Sequence, residues 1–211
     1  MIEGTRPASR ITFIIGGTRS GKSAFAESLA SLASSASGSE RVVYIATADA
    51  RDAEMASRVA AHSSRRPAEW GTWEGEILSL PDEIGKIASA WDTLLLDSLT
   101  SYISAALLAL PEKTIDDEAL CAAAEKAEQE ILKNTGRILA EFRKAAAGTD
   151  KRLIVVSDET GCGVVPHYQL GRRFRDLLGM ANQIAAGEAD EAALVTAGIP
   201  LWIKTRSRET H

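Results

Sequence analysis

Eight residues near the amino terminus have the types and the spacing needed to hold a triphosphate. They are Gly16, Gly17, Thr18, Arg19, Ser20, Gly21, Lys22 and Ser23. In a pattern of glycine, four residues and glycine-lysine-serine, backbone N–H groups turn inward around phosphate oxygens at the start of a helix. Lys22 adds a positive charge for the β- and γ-phosphates, and Ser23 adds a hydroxyl ligand for Mg²⁺. Gly17 and Gly21 permit backbone geometry and a close approach that side chains would obstruct. The segment therefore predicts a P-loop.

The elements on either side of this segment have the order that a P-loop needs. Residues 11–15 form an apolar, β-rich run that ends at glycine, which predicts a buried strand. Residues 23–33 carry apolar side chains at helical spacing. A chance glycine-rich turn would lack this strand and helix, so we expect a genuine phosphate cradle.

A carboxylate follows another apolar run. Residues 93–96 predict a buried strand, and Asp97 stands at its carboxyl end. A strand-end carboxylate can hold Mg²⁺ directly or through water, which predicts that Asp97 and Ser23 share the ion. A lone aspartate in this place is otherwise often the cap of the helix that follows, which is predicted over residues 98–108.

The remaining patterns alternate between strands and helices. Residues 63–75, which contain Trp70 and Trp73, are predicted to be irregular, and residues 34–39 form a predicted Ser/Gly-rich turn. Such alternation predicts a single-domain α/β fold of three layers with a mostly parallel sheet and a C-terminal strand pair. We expect an extension at 1–10, one domain at 11–204 and a tail at 205–211. The other predicted strands are 42–46, 153–157, 192–196 and 201–204, and the other predicted helices are 52–61, 76–89, 116–147 and 168–186.

Composition narrows the class of protein. The chain has 211 residues, a formal net charge of -5 and a pI near 5.3, which argue against a nucleic-acid binder that relies on broad electrostatic attraction. No apolar run approaches the roughly 20 residues that span a bilayer. Cys121 and Cys162 match no metal-ligand spacing and favour free thiols in a reducing compartment. We expect a cytoplasmic protein without an integral membrane segment.

Six ordered segments resemble one known family, the bifunctional adenosylcobinamide kinase/adenosylcobinamide-phosphate guanylyltransferases of cobalamin biosynthesis. Within the last segment, residues 158–166 and 171–176 are particularly distinctive of that family. The six segments cover most of the chain and are residues 16–23, 44–48, 52–62, 66–74, 95–100 and 156–204.

The resemblance implies two reactions with Mg²⁺. ATP or GTP phosphorylates the aminopropanol hydroxyl of adenosylcobinamide. His62, which matches the family's histidine, attacks the α-phosphate of GTP, releases pyrophosphate and passes GMP to adenosylcobinamide phosphate. Neutral imidazole is a nucleophile near neutral pH, which makes this chemistry reasonable. The resemblance also implies a homo-oligomer, with a homotrimer as the expected form.

The resemblance further implies a set of nucleotide contacts outside the P-loop. Arg65 and Arg66 are expected at phosphate or guanine, and Glu74 is expected to accept hydrogen bonds from a guanine edge. The full set is Thr47, Ala48, Asp49, Ser63, Ser64, Arg65, Arg66, Glu74 and Asp97.

Other side chains leave two interpretations open. Trp70 and Trp73 suit stacking on a base or corrin edge, and equally suit core packing or a subunit contact. His167 favours a surface role over catalysis. Arg172, Arg173 and Arg175 can reach phosphate or corrinoid, although arginines on a helix are more often solvated or salt-bridged.

Two other functions also fit the P-loop. One is a single-activity kinase for another small alcohol, in which His62 is incidental. The other is a nucleotide-binding switch or assembly protein, in which the triphosphate serves conformation rather than chemistry.

Overall fold

The computed structural model describes residues 11–37, 41–47, 67–110 and 118–205. In these ranges strands and helices alternate, and a 3₁₀ turn at Ile77–Ser79 leads into the second helix. The strands are β1 (Ile11–Gly16), β2 (Val42–Ala46), β3 (Gly71–Trp73), β4 (Thr93–Asp97), β5 (Arg152–Asp158), β6 (Glu191–Thr196) and β7 (Ile199–Lys204). The helices are α1 (Lys22–Ser37), α2 (Leu80–Ala90), α3 (Leu99–Leu108), α4 (Glu118–Ala145) and α5 (Gln169–Glu188).

The strands form one seven-stranded sheet in the order β3-β2-β4-β5-β1-β6-β7. Strands β1 to β6 all run parallel to one another, and β7 pairs antiparallel with β6. The predicted α/β class, the mostly parallel sheet and the C-terminal strand pair are therefore confirmed.

Helices cover both faces of the sheet, because the central strands are apolar on both sides. On one face, Ala26 and Ala30 of α1 pack against Ile14, Tyr44 and Leu95. The opposite face carries a larger cluster in which side chains of α2 to α5 pack against alternate residues of the same strands. Fully burying one such aliphatic or aromatic side chain stabilises the fold by about 1.5 to 3 kcal/mol. The result is the three-layer arrangement that the alternation predicts.

Three local predictions differ from the structure. Residues 71–73, predicted to be irregular, form β3 and pair in parallel with β2, because a three-residue strand is too short to show a period in sequence. Helix α1 continues to Ser37, into the first part of the predicted turn, since alanine and serine cost a helix little. Strand β7 begins at Ile199, so Pro200 lies within the terminal strand rather than in its turn.

The parallel sheet brings the carboxyl ends of its strands to one edge. In the pairing of β1 with β5, Gly16 lies opposite Asp158, and in the pairing of β2 with β4, Ala46 lies opposite Asp97. Loops that leave this edge include the predicted phosphate cradle. Ligands of open α/β sheets bind beyond such an edge, so it is the place where a functional site is expected.

Candidate nucleotide-binding site

The predicted phosphate cradle has the backbone of a tight loop between β1 and α1. Gly21 has a φ of 93°, a conformation that L side chains rarely adopt. Arg19, with a φ of 59°, also occupies the left-handed region. The Ser20 N–H donates to the Gly17 carbonyl at 3.2 Å, and the Ser20 carbonyl accepts from Gly198 N–H at 2.8 Å. The turn between β6 and β7 therefore supports the loop from outside.

Within the loop, close contacts leave no room for a side chain at Gly16 but leave room for one at Gly17. A Cβ at Gly16 would lie 2.4 Å from the Val195 carbonyl oxygen and 2.7 Å from Ser20 Oγ. A Cβ at Gly17 would meet no atom within 4 Å. The prediction for Gly21 is supported by its positive φ, whereas the protein itself places no such demand on Gly17.

Lys22 lies at the start of α1 and makes an ion pair that the sequence did not indicate. Its Nζ lies 2.5 Å from Asp158 Oδ1 and donates to the Gly17 carbonyl at 3.3 Å. Asp158 ends β5, as Asp97 ends β4. Like Asp97, Asp158 follows an apolar run, and this pattern could have identified it as a candidate site residue from the sequence. Nothing local in the sequence links it to Lys22.

Asp97 and Ser23 present the oxygen ligands expected for Mg²⁺. Asp97 is half-buried at the end of β4 and accepts a hydrogen bond from the Tyr44 hydroxyl at 3.2 Å. The alternative role as a helix cap belongs to Ser98, whose side chain accepts from Ser101 N–H at 3.2 Å. Ser23 is likewise half-buried, at the start of α1.

These donors fit Mg²⁺ by their chemistry. Among the described residues no three carboxylate, histidine or cysteine side chains gather into a metal cage. Mg²⁺ does not need such a cage, because it keeps several waters and takes one or two protein oxygens together with substrate phosphates.

Thr47 is buried where β2 leaves the sheet. Its Oγ1 donates to the Ser98 carbonyl at 3.0 Å and accepts from Ser98 N–H at 2.5 Å. The side chain thereby ties the end of β2 to the end of β4. The structure gives Thr47 a positioning role at the edge where Asp97 stands.

Glu74 and the two tryptophans lie at the far end of the sheet. Glu74 is exposed just after β3, which is four strands from β1, a span of about 19 Å at ordinary strand spacing. Trp73 packs against the larger core cluster and Trp70 against the smaller one. The contacts of both tryptophans are those of core packing.

The predicted nucleophile and six of the predicted nucleotide contacts lie outside the described residues. These seven residues are Ala48, Asp49, His62, Ser63, Ser64, Arg65 and Arg66.

The arginines of α5 are engaged within the protein. Arg173 Nε lies 2.7 Å from Glu128 Oε1 of α4, and Arg175 Nε lies 3.5 Å from Asp176 Oδ1. Arg172 donates to the carbonyls of Pro166 and His167. These contacts favour the salt-bridged interpretation of Arg173 and Arg175, and they engage Arg172 with backbone carbonyls instead. The His167 side chain is exposed, and Cys162 is an exposed free thiol, as predicted.

No described helix is both long and apolar enough to cross a bilayer. Among solved structures, a KaiC-like protein, PH0186, from Pyrococcus horikoshii OT3 matches with a TM-score of 0.54 at 17% identity. The match covers 98% of this chain and 83% of that one, and it supports the fold alone.

Curated relatives agree with the six-segment resemblance. The bifunctional adenosylcobalamin biosynthesis protein CobP of Pseudomonas aeruginosa is 37% identical over 191 residues, covering 90% of this chain and 95% of that protein. The corresponding CobU of Salmonella typhimurium is 34% identical over 194 residues, covering 90% and 98%. A family model described as cobinamide kinase / cobinamide phosphate guanyltransferase matches residues 12–203. With a P-loop at the expected edge and nearly the whole domain matched, the chain belongs to the cobinamide kinase / cobinamide phosphate guanyltransferase family.

Proposed function

We propose that this protein phosphorylates adenosylcobinamide with ATP or GTP and then transfers GMP from GTP to adenosylcobinamide phosphate. The product of the two steps is adenosylcobinamide-GDP. The observation that carries the proposal is the family match over residues 12–203, which includes the cradle between β1 and α1. The relatives of this chain are named bifunctional adenosylcobalamin biosynthesis proteins.

The phosphoryl step is assigned to the edge around β1, β4 and β5. Backbone N–H groups of residues 16–23 face the triphosphate, and Lys22 leaves Asp158 to bind β- and γ-phosphate oxygens. Ser23 and Asp97 are the residues that would hold Mg²⁺, which supplies positive charge against the phosphate oxygens. Support comes from the half-buried placement of both oxygen donors at this edge.

The guanylyl step is assigned to His62. An imidazole nitrogen attacks the α-phosphorus of GTP, the bond to the β-phosphate oxygen breaks, and pyrophosphate leaves. Adenosylcobinamide phosphate then attacks the phosphoramidate and releases the histidine. Arg65 and Arg66 offset phosphate charge, and Glu74 accepts from guanine. Thr47, Ala48, Asp49, Ser63 and Ser64 complete the proposed nucleotide contacts.

Four finer assignments come from the resemblance and from the sequence itself. We propose a homotrimer in the cytoplasm, with residues 11–204 as the catalytic domain. The acidic balance of the chain supports the view that nucleic acid is no partner.

The first test is covalent labelling. The purified protein is incubated with Mg²⁺ and α-phosphate-labelled GTP, and acid-labile, alkali-stable label on the protein is counted. We expect label on the wild type and on His167→Ala, whose exposed histidine is the matched control, and none on His62→Ala. Label that persists in His62→Ala would refute the assignment of the nucleophile.

A second assay separates the two-activity enzyme from a single-activity kinase. Transfer of γ-labelled phosphate from ATP to adenosylcobinamide is measured in the wild type and in Lys22→Ala. We expect the wild type to transfer phosphate. We expect Lys22→Ala to lower the rate of transfer by about 10²-fold or more, because the lysine charge no longer stabilises the transition state. Transfer without any covalent guanylyl label would favour the single-activity kinase. Nucleotide-dependent partner binding without either transfer would favour the switch or assembly protein.

A further inference from the structure

Asp158 is held at the nucleotide edge by both of its backbone polar groups. Its N–H donates to Thr100 Oγ1 of α3 at 2.7 Å, and its carbonyl accepts from Asn182 Nδ2 of α5 at 3.0 Å. Ser157 Oγ donates to the other amide atom, Asn182 Oδ1, at 2.6 Å. Beyond Asp158, the Glu159 N–H donates to the Gly16 carbonyl at 3.0 Å. Side chains from two helices therefore fix this strand end relative to the phosphate cradle.

The side chain of Asp158 directs its carboxylate at Lys22, the lysine of the phosphate cradle. Asp158 Oδ1 lies 2.5 Å from Lys22 Nζ, and the two side chains are 23% and 11% exposed. When a triphosphate takes Lys22, the carboxylate is left beside an anion, which disfavours nucleotide binding. The carboxylate of Asp158 is therefore fixed in a position that does not favour nucleotide binding. A charge held in such a position is expected to have a separate role in the reaction.

The order of strands puts this carboxylate between the two parts of the phosphate site. Strand β5 lies between β1, which leads into the cradle, and β4, which ends at Asp97. In the register of β5 with β1, Asp158 lies directly opposite Gly16. A γ-phosphate held by Lys22 and by Mg²⁺ at Asp97 would lie over the end of β5.

Other described carboxylates at this edge are less suited to meet the acceptor. Asp97 is bonded to the Tyr44 hydroxyl and is the expected ligand of Mg²⁺. Glu159 Oε1 accepts from Gly161 N–H at 2.5 Å within its own loop. Glu74 follows β3, four strands from β1.

We propose that Asp158 is the base of the phosphoryl step, accepting the proton of the acceptor alcohol. This rests on the proposed function. The alcohol oxygen forms a bond to the γ-phosphorus, and the bond from that phosphorus to the β–γ bridging oxygen breaks. The nucleoside diphosphate leaves, and the hydroxyl proton passes to the Asp158 carboxylate and then to water. Protein kinases use an aspartate in the same role.

The test compares Asp158→Asn with Asp150→Asn. Asp150 is an exposed aspartate just before β5, at the opposite edge of the sheet, and supplies the same loss of charge. We expect Asp158→Asn to lower kcat for phosphoryl transfer from MgATP to adenosylcobinamide by about 10²- to 10⁴-fold. Its Kd for MgATP is expected to stay the same or fall, because a negative charge is removed. Asp150→Asn is expected to match the wild type in both.

The guanylyl step provides a second measurement on the same variant. Preformed adenosylcobinamide phosphate attacks without a hydroxyl proton that Asp158 must remove, so we expect its guanylylation to stay within about threefold of the wild type. Equal losses in both steps, or a kcat for phosphoryl transfer within about threefold of the wild type, would overturn the role of Asp158. A wild type that binds MgATP but phosphorylates no cobinamide would overturn the proposed function and this role with it.

Discussion

Replacing Gly16 by alanine tests the geometry of the cradle with one added methyl group. The Cβ would lie 2.4 Å from the carbonyl oxygen of Val195, its register partner on β6, and 2.7 Å from Ser20 Oγ. Real Cβ atoms essentially never approach closer than 3.0 Å, so β1 and β6 must separate by about 0.6 Å at this point. The obstruction is backbone within a paired strand, which cannot turn aside as a side-chain end can.

The expected cost follows from overpacking of a close-packed interior. Such insertions destabilise proteins by about 1 to 3 kcal/mol. For a domain of this length, that corresponds to a fall in Tm of roughly 2 to 12 °C. Because the displaced residue begins the cradle, phosphoryl transfer is expected to fall as well, by up to about 10²-fold for a shift approaching 1 Å.

Gly17→Ala is the matched control for stability. Its Cβ would meet nothing within 4 Å, so its free energy of unfolding is expected to stay within about 0.5 kcal/mol of the wild type. Urea unfolding and thermal melting of the three proteins measure the difference. Equal stability of Gly16→Ala and Gly17→Ala would refute the steric argument.

Two further predictions concern buried polar groups. Burial raises the pKa of Tyr102 to about 12, so its neutral form is favoured in the folded chain. Unfolded tyrosine loses its proton near pH 10. Between about pH 10 and 12 the wild type should therefore lose up to about 1.4 kcal/mol per pH unit relative to Tyr102→Phe, as measured by urea unfolding. Asn182→Ala removes partners from Ser157 Oγ and the Asp158 carbonyl and should cost about 1 to 3 kcal/mol in the same assay.

Each of these predictions has an internal check. A stability difference between wild type and Tyr102→Phe that stays constant from pH 9 to about pH 12 would contradict the raised pKa of Tyr102. For Asn182, the combined variant Ser157→Ala/Asn182→Ala should lose less free energy of unfolding than the sum of the single changes, because the two side chains hydrogen-bond to each other. Additive losses would show that this hydrogen bond contributes little.

Local patterns predicted most of the elements and part of the site. A strand, a glycine-rich turn and a helix are each specified by neighbouring residues, so the cradle at 16–23 and the strand end at Asp97 follow from the sequence. Short β3 escaped prediction, because three residues show no period and this strand exists through its pairing with β2.

The order of residue types along the chain specifies the chemistry available at each strand end, since residue type and local backbone preference are carried by adjacent residues. Which strand ends meet depends on the folded sheet. Asp158 reaches Lys22 because β5 pairs with β1, although the two residues lie far apart in the chain. Gly16 is crowded because β6 pairs on the other side. Strand order is set by packing of the whole sheet and its helices, so no local pattern encodes these contacts.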